Sequence, residues 1–298
     1  MMCYILQPPK MVRLSDAGVK RTATVVNRTM KLGINTYTYM WSIGFEGARP
    51  EKPMDAFGIL RKAGELRVKV LQLGPNLPLD GMGERGLDAL RREACGAGVE
   101  LEVGTRGLET EHLRDQISRC ERLGATLLRT IPEVNGQTPP LADISRYLRE
   151  IVPVLESRGI RLAMENGKIP ARDLARVVEQ AGSANVGIVL DTANSLAIHE
   201  GWQYVTGILA PHTMCLHLKE VEVKRVWHMM GFVCEGRPTG QGQLDIPWIL
   251  QTCGQSPHDF NVILELWPPE QETLEETIRL EQSWAVESVA FMRQYISE

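Results

Sequence analysis

The chain has 298 residues, a formal net charge of -4 and a pI near 6.0. No long basic run interrupts it, which excludes nucleic acid as a partner. No apolar run reaches the roughly 18 residues of a membrane span, so a membrane protein is excluded as well. Cys3, Cys95, Cys120, Cys215, Cys234 and Cys253 form no C-x-x-C pair. That pattern argues against a zinc ribbon, a redox motif or a disulfide framework. With no apolar leader and cleavage site at the start, a cytoplasmic protein is the expectation.

Residues 1–29 show neither strand alternation nor a helical period and are set apart as an N-terminal extension. From Met30 onward, strand-like and helix-like segments alternate, and the domain is taken as 30–298. K-L-G-I-N-T-Y (31–37) precedes a helix over 53–65, V-K-V-L-Q-L-G (68–74) one over 85–97, and V-E-L-E-V-G (99–104) one over 109–123. A-T-L-L-R-T (125–130) precedes 141–157, R-L-A-M-E (161–165) precedes 171–180, and V-G-I-V-L-D (186–191) precedes 201–209. M-C-L-H-L-K (214–219) is followed by a long irregular loop and a helix over 246–253, and N-V-I-L-E-L (261–266) by a helix over 272–296. Strands joined by single crossover helices are parallel, and eight such units predict an α/β fold of the (β/α)8 TIM barrel type in a single domain. An open doubly wound sheet is the competitor. It calls for a glycine-rich phosphate turn after the first strand, where this chain reads N-T-Y-T-Y-M-W.

Four of the strand segments end in chemistry. Glu165, Asp191 and Glu265 close apolar runs, and His217 lies inside one. A buried carboxylate without a counter-charge is strongly unfavourable, so such acids pair with a cation or bind a metal. In a barrel the C-terminal ends of these strands converge, which makes the four a candidate metal site. Singly, each has an ordinary explanation. Asp191 caps the turn that follows it, His217 is a satisfied core histidine, and Glu165 or Glu265 pairs with a buried arginine such as Arg129. The intervals from Glu165 to Asp191 and from Asp191 to His217 are equal, each one strand–helix unit, while the interval to Glu265 is nearly double. The excess is the segment 220–245, predicted to be a large loop over the site.

From Met30 to its C-terminus the chain resembles the xylose-isomerase-like TIM barrels, which include sugar isomerases, ketose epimerases and apurinic-site endonucleases. The resemblance implies that Glu165, Asp191, His217 and Glu265 hold a divalent metal. The stretch G-Q-G-Q-L-D (240–245) is similar to the loop before that family's seventh helix, with Asp245 as its cap. Three carboxylates and one imidazole form a hard donor set that suits Mn2+ first, with Mg2+ or Co2+ as alternatives. The related multi-zinc endonucleases use several additional histidines, whereas this chain has six in all, which argues against a multi-zinc site. In related ketose epimerases a histidine follows the aspartate by three residues and a second glutamate follows the first by six. Here Asn194 and Ala171 stand at those places.

Lys219, two residues beyond His217, faces the same side of a strand and is expected in the site. Arg225, His228, Arg237 and Asn194 are expected to bind an anionic substrate, although loop Lys and Arg are by default surface charges. The loop that carries Arg225, His228 and Arg237 resembles that of decarboxylases of branched, oxidised sugar acids in the same superfamily. The resemblance implies decarboxylation of a 3-oxo sugar acid through an enediolate, giving a small ketose and CO2, with Glu165, Glu265 and Lys219 catalytic. The alternative is a sugar isomerase or ketose epimerase. A binding-only sugar-acid sensor is the third reading, set against by the complete ligand quartet. Tyr37, Tyr39, Trp41 and Trp267 are candidate walls of a sugar pocket, and Gln72 and Arg106 candidate substrate contacts. The outer helices of such a barrel are compatible with a homo-oligomer.

Overall fold

The computed structural model describes residues 30–77 and 79–297. The extension 1–29 lies outside the described residues. β1 (Leu32–Asn35) leads through a 3-10 turn and the short α1 (Met40–Ile43) to α2 (Ala56–Glu65). Then come β2 (Val70–Leu73) with α3 (Gly83–Ala97), β3 (Glu100–Arg106) with α4 (Thr110–Leu123), and β4 (Leu127–Ile131) with α5 (Leu141–Arg158). β5 (Arg161–Glu165) precedes α6 (Ala171–Ala181), and β6 (Val186–Asp191) precedes α7 (Trp202–Leu209). β7 (Thr213–Leu218) is followed by β8 (Val221–Arg225), β9 (Phe232–Gly236) and α8 (Ile246–Cys253), and β10 (Asn261–Leu264) by α9 (Leu274–Met292).

The barrel closes in the order β1-β10-β7-β6-β5-β4-β3-β2, with every neighbouring pair parallel. This is the expected eight-stranded α/β barrel. The helices form where apolar residues recur every three or four positions. α6 turns Leu174, Ala175, Val177 and Val178 to the strands, starts after Pro170 and stops at Gly182, whose positive φ of 64° suits a residue without Cβ. Among the described residues no helix is long and apolar enough to cross a membrane.

One expectation needs correction. The segment after β7 is not irregular, because β8 and β9 pair antiparallel from Val221↔Gly236 to Arg225↔Phe232. The alternation V-E-V-K-R and F-V-C-E-G carries the period of two that a ribbon requires, and its charged residues obscured it.

β7 holds a bulge. Ile188 pairs with Thr213, but Val189 pairs with Cys215, so Met214 is the extra residue. A Cβ on Gly187 would stand 2.7 Å from Cγ and Sδ of Met214 and 2.8 Å from the His212 backbone oxygen, so glycine is required there. The bulge sets the register that brings Asp191 opposite His217.

α9 is tied back to the mouth of the barrel. The buried Glu281 carboxylate accepts hydrogen bonds from Trp41 N at 2.7 Å, Ser42 N at 3.0 Å and Ser42 Oγ at 2.6 Å. Burial pushes its carboxyl up to about 7, against the pull of those donors. A folded pKa above the unfolded one means that the protonated acid favours the fold. That contribution is complete below the ordinary carboxylate range and is lost as the pH rises through about 7. Thermal melts should therefore show Glu281→Gln gaining on wild type between about pH 5 and about pH 8, by the equivalent of about 3 kcal/mol. Parallel melting curves across that range would contradict this assignment.

Candidate metal centre

Inside the barrel the strands alternate, and each inward apolar residue is followed two positions on by a polar one. Val70, Leu127, Ala163, Val189, Cys215 and Ile263 belong to a small cluster filling the lower barrel. Above them, on the same strands, stand Gln72, Arg129, Glu165, Asp191, His217 and Glu265, all buried. The period of two delivers this polar layer to the C-terminal ends of the strands, where barrels of this type place their sites.

His217 is the centre of the layer, with 0% exposure. Its Nδ1 lies 3.1 Å from Glu265 Oε1, 3.5 Å from Glu165 Oε2 and 4.0 Å from Asp191 Oδ2. Among the described residues, Glu165, Asp191 and His217 offer ligand atoms within 4.8 Å of one another. Glu265 is not in that mutual set; Asn35 Nδ2 donates to its Oε1, and Lys219 Nζ is 2.7 Å from its Oε2.

Asp191 divides its two oxygens between structure and site. Oδ1 accepts from Ala193 N and Asn194 N, both at 2.8 Å, which is the capping role expected of it alone. Oδ2 and His217 Nδ1 are buried and make no hydrogen bond, although Lys219 Nζ lies 2.9 Å from Oδ2 as an ion pair. Asp191 Oδ2 and His217 Nδ1, neither of them hydrogen-bonded, form with the neighbouring Glu165 carboxylate a donor set that fits a divalent cation. Asp191 and Glu165 would hold it through carboxylate oxygens, His217 through Nδ1, and Glu265 would complete the set.

Fixed cations accompany the acids. Arg129 Nε donates to Glu165 Oε2, so the ordinary explanation for Glu165, a buried arginine pair, holds beside the metal reading. Burial pushes the Glu165 carboxyl up, but Arg129 and His217 outweigh it and hold the group at about 2. Glu265 is pushed up by burial and drawn well below its usual range by Lys219 and His217. Burial and the neighbouring Glu165 and Glu265 raise Asp191 against the pull of Lys219. For His217 burial acts downward, and Glu265 and Glu165 overcome it to raise the imidazole well above its ordinary value.

Lys219 and Asn194 reach the centre as expected. Lys219 is 3% exposed and donates to Asn194 Oδ1 at 3.0 Å, while Asn194 Nδ2 donates to Glu165 Oε1 at 2.6 Å. The exposed indole of Trp267 covers Lys219, its ring centroid 4.6 Å from Nζ.

Arg225, His228 and Arg237 are not brought to the centre. Arg225 stacks on Phe232 at 4.8 Å and donates to Met229 O, and the exposed His228 accepts from Met230 N. Arg237 is engaged by Glu222 at 2.6 Å and Glu235 at 2.7 Å. The hairpin satisfies these charges internally, which a loop without pairing would not do. Tyr39 is core, and Trp41 packs edge-on against Phe45. Tyr37, half-buried, donates its backbone N–H to Asn35 Oδ1 at 2.8 Å. Arg106 pairs with Glu133 at 3.4 Å beside Lys168. Gln72 lies against His217 Nε2, not at the mouth. Asn35 was missed, although it ends the first apolar run as the acids end theirs. Asp245 caps α8 as expected, accepting from Trp248 N.

The comparisons agree with the barrel fold. Residues 100–294 match the family described as "Xylose isomerase-like TIM barrel". A curated relative, 3-oxo-isoapionate decarboxylase of Pectobacterium atrosepticum, is 30% identical over 264 residues, covering 88% of this chain and 95% of the relative. Among solved structures, D-psicose 3-epimerase with D-tagatose from Clostridium cellulolyticum H10 superposes with a TM-score of 0.67 at 17% identity, covering 90% of this chain and 99% of that one. The IOLI protein, solved with a zinc atom, superposes with a TM-score of 0.63 at 18% identity, covering 90% and 100%.

A cation at Nδ1 competes with the proton that the surrounding carboxylates favour on His217, so metal uptake releases a proton. Titration of the metal-free protein with Mn2+ should show affinity falling as the pH is lowered, with proton release measurable in two buffers of different ionisation enthalpy. His217→Ala should abolish the binding. Affinity independent of pH would contradict ligation by His217.

Proposed function

The chain belongs to the xylose isomerase-like TIM-barrel family, and on that footing we propose that it is a divalent-metal-dependent decarboxylase of a 3-oxo sugar acid, releasing CO2 and a small ketose. The observation that carries this reading is the charge of the site. Three carboxylates, Glu165, Asp191 and Glu265, face the Arg129 guanidinium and the Lys219 ammonium. A divalent cation added to them leaves one positive charge unbalanced. A monoanionic sugar acid neutralises it, and a neutral ketose does not. The name of the 30% identical relative supports the same reading.

A divalent cation bound among these ligands supplies a Lewis acid for the charge that develops on the ketone oxygen. In a 3-oxo acid the bond to the carboxylate carbon breaks, its electron pair moves to the ketone oxygen, and CO2 leaves. The enediolate then takes one proton at carbon. We assign that proton to Lys219, whose ammonium touches Asp191, Glu265 and Asn194 and is held above its usual pKa range by those acids in spite of burial. Glu265 is the adjoining carboxylate through which the proton is replaced. Asn194 keeps both Lys219 and Glu165 in place through its two amide ends. Trp267 closes the outer side of Lys219 against water.

Isomerisation or epimerisation is the second reading, favoured by the D-psicose 3-epimerase likeness in fold. It asks a carboxylate to take a proton from carbon. Both oxygens of Glu165 are engaged by Arg129 and Asn194, and both of Glu265 by Asn35 and Lys219, which leaves neither carboxylate open for that task. For the metal, the oxygen-rich donor set supports Mn2+ ahead of Mg2+ and Co2+, and zinc, present in the IOLI barrel, is the competitor to include.

The test offers Mn2+-loaded protein a panel of 3-oxo sugar acids and free ketoses, with CO2 and product sugar followed by NMR. CO2 release that stops with chelator, and falls by roughly 100-fold or more in Glu265→Gln and Lys219→Met, is the expected result. Solvent deuterium entering a ketose without CO2 would replace decarboxylation with isomerisation or epimerisation.

A further inference from the structure

A chain of polar side chains runs through the barrel from its opposite end to His217. At the N-terminal face a cavity lined by Lys31, Glu100, Arg161 and Asp259 reaches Glu102 and Asn261. Asn261 Nδ2 donates to Glu102 Oε1 at 2.7 Å. The other oxygen, Oε2, accepts from Gln72 Nε2 at 2.9 Å. Gln72 Oε1 in turn lies 2.8 Å from His217 Nε2. Glu102 is 4% exposed and Gln72 1%, inside a barrel otherwise filled below the site by aliphatic side chains. Burying such a network is unfavourable unless its members are satisfied, and here both oxygens of Glu102 and both ends of the Gln72 amide are engaged.

The order of the links has a direction. A carboxylate offers only acceptors, so the Gln72 amide must present its NH2 to Glu102 and its carbonyl to His217. The reverse orientation would set two acceptors face to face. A carbonyl at Nε2 requires a proton there, which leaves the lone pair of the neutral ring on Nδ1, the atom that faces Glu165, Asp191 and Glu265. We propose that Gln72 and Glu102 are positioning residues for the metal centre, a relay in which a carboxylate at the far end of the barrel fixes the tautomer of His217. This inference rests on the metal centre described above, but not on the identity of its substrate. Burial raises the Glu102 carboxyl, against the pull of the Asn261 and Gln72 hydrogen bonds and, more weakly, of His217 and Arg161.

The test measures Mn2+ affinity, read from the electron paramagnetic resonance signal of the free ion, on intact protein without substrate. In Glu102→Gln the new amide offers a donor as well as an acceptor. Gln72 is then free to turn, and Nε2 is no longer held as the donor. Affinity should fall about 10- to 100-fold, the range seen when partners behind a metal-bound histidine are removed. The exchange Gln72→Glu with Glu102→Gln restores the direction. Its carboxylate accepts from His217 and from the amide at 102, which accepts from Asn261, so affinity should return to wild type or tighter.

Equal affinity in wild type and Glu102→Gln would overturn the relay, as would a folded exchange variant that stays weak. A purely structural role for Glu102 would not be rescued by moving the charge. The exchange conserves side-chain size at both positions and decides the matter alone if Glu102→Gln does not fold. Wild-type protein that binds no Mn2+ would remove the metal centre itself, a different result from a centre that binds without the relay.

Discussion

Holding Glu165, Asp191 and Glu265 within 4.0 Å of one imidazole nitrogen in the interior is the constraint on which this barrel depends. Each buried ion costs several kcal/mol after relaxation, and the mutual repulsion of three adds to it. Arg129 and Lys219, both nearly inaccessible, answer part of that cost. Asn35, Asn194 and Gln72 satisfy oxygens and nitrogens that the two cations do not reach. A fold selected for stability alone would place aliphatic residues here, as it does one layer below. The concentration of charge is therefore a mark of function.

The scaffold turns this chemical demand into geometry by simple means. Strand alternation stacks polar residues directly above apolar ones, and helices packed outside leave the interior to that alternation. The bulge at Met214, admitted by Gly187, adjusts the register of β7 so that His217 sits level with Asp191. Glu165, Asp191 and His217 thus stand on paired strands, and Lys219 and Glu265 lie one residue past the ends of theirs. A site built from converging charged side chains gains from that rigidity, because misplacement by about 1 Å is costly for reaction rate.

The parts legible in the sequence were those governed by local periodicity. β5 and β6 begin and end where their apolar runs do, and the four candidate ligands occupy strand ends read from those runs. Lys219 followed from the same alternation. The segment 220–245 was not legible in the same way. Its charges suggested a substrate clamp, but Arg237 spends its guanidinium on Glu222 and Glu235, and Arg225 lies on Phe232. Cross-strand partners in a hairpin are set by pairing, which charge content does not encode. Asn35, Gln72 and Glu102 were hidden for another reason. Their roles are bonds across the barrel between residues distant in the chain, and no spacing rule announces such contacts.

The most direct measurement is anomalous diffraction at the manganese edge from crystals equilibrated with Mn2+. The account predicts a strong peak among Glu165, Asp191, His217 and Glu265, with Nδ1 as the histidine ligand and Lys219 beside the ion. A peak elsewhere, or density in which Lys219 still bridges Asp191 and Glu265 with no metal between them, would contradict it.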